Sequence, residues 1–207
     1  IYDGGDFGEV TLGVEARYEA VSASSFMANA EGDLFRPEFA DHSNLIFPES
    51  NRTVLASYLE WKLDLGDWFS AVFGGRYDMY SDFGAEISPR GALVVEPWSG
   101  GAVKLLAGSA FRAPTLEELH SPDSSKLGNE DLQAETITTY ELVFLQRLGE
   151  QLEARVSGYS LWVENRIDVP QSTSTEGKNP YRNFSGTRGM GFDLELRVGW
   201  ENGSWIS

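Results

Sequence analysis

Cysteine is absent from this 207-residue sequence, so neither a disulfide framework nor a thiolate metal site can stabilise it. Long apolar runs are missing too. Nothing approaches the roughly 18 consecutive apolar residues of a membrane helix, which leaves a β-barrel as the only spanning structure open to the chain. Positive charge is scarce: 16 Lys and Arg stand against 32 Asp and Glu, for a net charge of −16. Affinity for a phosphate backbone comes from Lys and Arg, so no nucleic-acid partner is expected. Histidine occurs only at His42 and His120. With no Gly-x-Ser-x-Gly elbow, metalloprotease helix or P-loop, the sequence points to no enzyme, no catalytic residue, no cofactor and no resident metal.

What the sequence does have is alternation, together with 13% aromatics and 22 glycines. That composition suits a sheet with aromatic bands, although a soluble lectin-like sandwich shares it. Between residues 9 and 20, Val10, Leu12, Val14, Ala16 and Tyr18 alternate with Glu9, Thr11, Glu15, Arg17 and Glu19, the period of a strand with a different solvent on each face. Residues 53–65 and 68–79 repeat the pattern around Gly66-Asp67 as a hairpin. Further strands are expected over 87–96, 102–112, 136–148, 152–169 and 190–200. Near Gly158 the pattern slips, which predicts a bulge that lets Tyr159, Leu161 and Val163 change face. Polar loops are expected at 21–52, 113–135 and 170–180, and tight turns at 66–67, 97–101, 149–151 and 201–203. Tight turns therefore alternate with mostly longer links, as in outer-membrane barrels with short periplasmic turns and longer extracellular loops. The expected fold is all-β: an antiparallel up-and-down meander of about 8–9 strands, part of a large transmembrane β-barrel and not closed. Tyr18, Trp61, Trp68, Tyr77, Tyr80, Trp98, Trp162 and Trp200 suit its interfacial girdles.

The stretch from Ala107 to Phe144 organises the chain, because strand-like flanks enclose a loop that Pro114 starts. It holds a Phe-Arg-Ala-Pro box (Phe111 to Pro114), a Gly-Asn-Glu-Asp-Leu-Gln-Ala-Glu box (Gly128 to Glu135) and Thr139-Tyr140-Glu141-Leu142. Around it stand Gly75-Arg76-Tyr77-Asp78, Ser88-Pro89-Arg90, Tyr181-Arg182-Asn183 and the strand from Gly191 to Leu196. In this order these pieces resemble the barrel of TonB-dependent outer-membrane receptors. Members often carry prolines in the second box where this chain has Glu130 and Ala134.

The resemblance implies an outer-membrane receptor of a Gram-negative bacterium. Such a receptor takes up a scarce ligand of the ferric siderophore, haem or cobalamin type, with energy from the inner-membrane TonB complex acting on a plug domain. Implied partners are outer-membrane lipid, the receptor's own plug, TonB through that plug, and a small-molecule ligand. Residues 1–207 are expected to be a partial barrel, with the plug and the C-terminal barrel strands outside them. Three rivals stand beside this reading: a passive porin-like barrel, a soluble carbohydrate-binding β-sandwich, and a barrel enzyme, for which no nucleophile and base are found.

Ligand contacts are expected from Arg112, Glu117, Glu118, His120, Asp123, Lys126 and Asn129. Haem receptors of the family have a ligating histidine in a comparable loop, so His120 would matter if the ligand were haem. The adjacent carboxylates Glu117 and Glu118 point apart on an extended or turning segment and make a poor acid–base pair. Arg76, Asp78, Arg90, Glu141, Asp193 and Glu195 are expected on the lumen side, facing a plug or pairing across strands. The loop from Thr115 to Ala134 is read as polar throughout and is expected to offer few apolar groups to any core, and so to serve capture.

Overall fold

The computed structural model describes residues 8–22, 49–122, 126–149, 151–170 and 179–199, with the backbone of six strands of two or three residues outside them. Eight long strands dominate: β1 (Glu9–Val21), β2 (Ser50–Asp64), β3 (Phe69–Tyr80), β4 (Gly84–Trp98), β5 (Gly101–Arg112), β6 (Glu135–Leu148), β7 (Leu152–Glu164) and β8 (Thr187–Gly199). Each pairs antiparallel with its neighbour in sequence. Tyr2–Asp3 and Trp205–Ile206 extend the two margins, giving one open ten-stranded sheet. Every other sheet has two strands, so among the described residues no second wall faces it and the sandwich reading fails.

Registers place the two sets of alternating residues on opposite faces. Gly13 opposes Tyr58, Tyr58 opposes Arg76, Arg76 opposes Ser88, and Arg155 opposes Glu195, all on the charged face. The other face is apolar and bare: Val14 is 87% exposed, Phe192 82% and Leu194 65%. Leu12, Leu59, Phe73, Tyr77, Ile87, Tyr140 and Leu142 continue it. A contiguous apolar face far larger than the few hundred Å² that soluble monomers show needs hydrocarbon as its solvent. No helix among the described residues is long and apolar enough to cross a membrane; the strands do that work.

Four sequence expectations are corrected. β2 begins at Ser50, three residues early, because its first turn pairs fully with the end of β1 down to Val21. No bulge occurs at Gly158, where the pairing of Leu142, Gly158 and Phe192 runs unbroken. Tyr159 and Leu161 stay on the charged face because glycine opposes each of them; a Cβ on Gly191 would collide with the Tyr159 ring. Strand β7 stops at Glu164 and does not reach Val169. Asn165, with φ of 54°, adopts the left-handed conformation that asparagine tolerates, and the chain turns aside into Arg166–Asp168, which pairs with Arg182–Phe184. Finally, Tyr80 leaves the girdle set: its register puts it on the charged face, against Phe83. Tyr18 and Trp98 are exposed on the apolar face as expected, Trp68 is exposed in the turn before β3, and His42, Trp200 and the 201–203 turn lie outside the described residues.

Candidate functional site at the loop rim and the charged wall

The link between β5 and β6 is built by local chemistry. Thr115 caps a one-turn helix, α1 (Leu116–His120), through a reciprocal capping box with Glu118. Glu118 Oε2 accepts from the Thr115 N–H at 2.7 Å and from Arg112 Nη1 at 2.9 Å, so one carboxylate closes the helix and ties it to the end of β5. Arg112 Nε donates to Glu135 Oε2 at 2.6 Å, and the other Glu135 oxygen accepts from the Ile167 N–H at 2.6 Å. Two sequence-distant loops are thereby joined through one carboxylate.

Asn183 extends that join. Its side chain donates to the carbonyls of Gln133 and Asn165 and accepts from the Gln133 N–H. Asn129 donates to the Tyr181 carbonyl and accepts from the Asp131 N–H, while Leu127 pairs with 179–181 by two backbone bonds. These bonds hold the second box. Leu119, Leu132 and Ile167 form a buried cluster with Tyr181 against it, and Leu116 and Ala134 are buried too. The expectation of few apolar groups in this loop is therefore wrong: the rim has a buried apolar cluster of its own.

Of the rim residues expected at a ligand site, Arg112, Glu118 and Asn129 are occupied in holding the rim together. Glu117 and Lys126 are exposed, and His120 Nδ1 lies 3.5 Å from Glu130 Oε1. Asp123 lies outside the described residues. Sequence reasoning missed Arg52. It is 4% exposed, bound to Asp82 at 2.6 Å and to the Pro114 carbonyl at 2.8 Å, with its guanidinium over the rings of Tyr80 and Phe83. Its place at the end of a stretch without alternation hid it.

The charged wall carries the remaining expected residues. Arg76 bridges Glu15 at 3.0 Å and Asp78 at 2.9 Å; Asp78 itself is buried. Arg90 pairs with Glu60, Arg155 with Glu141 at 3.5 Å, and Glu195 with Arg197 at 2.7 Å. Asp193 stands exposed beyond them. Tyr58, Arg76, Ser88, Arg90 and Thr139 line a recess of about 580 Å³, and Val72, Ala92, Leu106 and Leu161 line a more apolar one of about 480 Å³ beside it. No group of His, Asp and Glu among the described residues is placed to hold a metal ion.

The family model for TonB dependent receptor-like β-barrels matches residues 2–207. The chain belongs to that family. It is 31% identical over 144 residues to the "Iron-regulated outer membrane virulence protein" of Vibrio cholerae, covering 63% of the chain and 22% of that protein. With the "Vitamin B12 transporter BtuB" of Vibrio cholerae it shares 31% identity over 127 residues, covering 60% and 19%. The solved siderophore receptor PirA from Pseudomonas aeruginosa superimposes with a TM-score of 0.70 at 23% identity, over 91% of this chain and 36% of that one. The chain thus spans about a fifth of the length of the curated relatives it matches. Its sheet is a segment of outer-membrane barrel wall of a TonB-dependent receptor, with the apolar face toward lipid and the charged face toward the lumen. Long links lie on the extracellular side and tight turns on the periplasmic side.

Proposed function

We propose that this wall segment belongs to an energised receptor that takes up a ferric siderophore, with a plug domain in the lumen coupled to the TonB complex. The observation that carries the reading is the lumen face itself. Its arginines are each ion-paired with a carboxylate around recesses of mixed polarity, which suits a face packed against another protein surface better than one lining a bulk-water channel. The iron-regulated and siderophore-receptor names of similar proteins favour an iron chelate, and the B12 transporter makes cobalamin the second reading. Arg76, Asp78, Arg90, Glu141, Asp193 and Glu195 form the face offered to the plug. Exposed Glu117 and Lys126, with His120 beside them, supply rim contacts for the ligand, whereas Arg112, Glu118 and Asn129 position that rim. No catalytic step is assigned to this chain.

Uptake by cells carrying the full-length receptor tests the reading. Labelled ferric siderophore should accumulate only with TonB present, and haem and cobalamin should not. Accumulation that persists without TonB would instead mark a passive porin-like barrel, and cobalamin uptake alone would move the ligand class.

A further inference from the structure

Of the nine arginines on β1–β8, eight face the lumen and each is ion-paired with a carboxylate. Arg188 is the ninth. It opposes Trp162 in the register of β8 with β7 and so points to the lipid face. No carboxylate among the described residues lies within ion-pair distance of it. Its guanidinium sits 4.8 Å from the centroid of the Trp162 ring, and Trp162 is in turn held edge-on by Tyr140 at 5.5 Å. Stacking of this kind fixes a planar cation while leaving its N–H donors free at the edge.

Depth makes this arrangement a lipid site. Below Arg188 on the same face come Met190, Phe192 and Leu194, which are 69%, 82% and 65% exposed, and an extended strand tilted as in barrels rises about 5 Å per two residues along the membrane normal. Arg188 therefore stands just above the apolar band, at the level of the headgroups on the loop side. Among the outward positions of β1–β8 at this end the one other charge is Glu164, which closes β7 two residues beyond Trp162. We infer that Arg188, stacked on Trp162, binds the phosphate of an anionic lipid headgroup in the outer leaflet, with that lipid's acyl chains lying along Met190, Phe192 and Leu194. Charge complementarity commits the site to a phospho-headgroup: an uncompensated guanidinium at the interface attracts anionic lipid, and the apolar strip beneath it takes the chains.

The test uses purified full-length receptor, scored by native mass spectrometry during titration with bis-phosphorylated lipid A, its dephosphorylated counterpart, or inorganic phosphate. Wild type should retain the phosphorylated lipid, and Arg188→Gln should bind it about five- to tenfold more weakly. Lys104→Gln, on the lumen face, should bind as wild type does. Neither the dephosphorylated lipid nor inorganic phosphate at the same concentration should occupy or protect the site. Equal retention by wild type and Arg188→Gln would overturn the inference, as would equal binding of the two lipids by wild type, an arm that holds even if the variant fails to insert.

Discussion

Arg52 joins separate parts of the rim: it is buried, ion-paired with Asp82 and bonded to the Pro114 carbonyl. Arg52 is buried and Asp82 largely so, and removing one partner of a buried ion pair strands the other charge, at a cost of up to about 3–5 kcal/mol. Arg52→Ala should therefore lower the denaturant midpoint of the full-length receptor in detergent and should free the Pro114 carbonyl that anchors the start of the rim. A midpoint equal to that of wild type would show that the pair contributes nothing. On the wall, adjacent residues of β8 face different solvents. Leu194→Arg should destabilise the inserted barrel by about 2–4 kcal/mol if it lies near the midplane, whereas Glu195→Gln removes one exposed ion pair and should cost under about 1 kcal/mol. Arginine would be a poor control at 195, since Arg155 and Arg197 already flank that position. Equal penalties at 194 and 195 would reverse the assignment of faces.

Among the elements, the wall strands were legible in the sequence and the rim was not. Period-2 alternation is a local signal, so β1, β3 and β8 emerged with margins of a few residues. The misreading at Gly158 arose because apolar Tyr159, Leu161 and Val163 occupy lumen positions, where glycines on β8 make room for the first two. Alternation cannot distinguish a slipped register from an apolar lumen patch. The rim escaped for a different reason: Leu119 and Leu132 are isolated in a polar stretch, and their partners Ile167 and Tyr181 come from the next link. In the ordered boxes Arg112, Asn129 and Asn183 make hydrogen bonds that hold the rim, as does Glu118 between them. Two links thus form one folded unit. Leu119→Ala, which empties a buried site at a cost of about 2–5 kcal/mol, should raise amide exchange across 113–134 and 165–184 together while β1–β8 stay protected. Exchange confined to 113–134 would mean that the links are independent. Replacing 117–130 with a Gly/Ser linker should leave a membrane-inserted, heat-modifiable barrel, expose 165–184, and weaken siderophore binding.

For the whole molecule, the central claim is that one sheet separates two solvents. Both faces are largely open in this segment, and apolar burial within the sheet cannot explain its stability; lipid on one side and lumen contents on the other must complete it. Tight turns at one end, tied by Trp98 Nε1 donating to Gln146 Oε1 at 2.8 Å, and a folded rim at the other fix its orientation. Residues 1–207 hold no cysteine, so spin labels can be introduced singly along β8 from Met190 to Val198 in a full-length receptor whose cysteines elsewhere, where present, are replaced by serine, reconstituted in lipid. Accessibility to oxygen, which partitions into hydrocarbon, and to a water-soluble nickel chelate should then alternate with a period of two. Oxygen should dominate at 190, 192, 194, 196 and 198, and should fall at 191, 193, 195 and 197. A flat profile, or the opposite phase, would contradict the barrel-wall account.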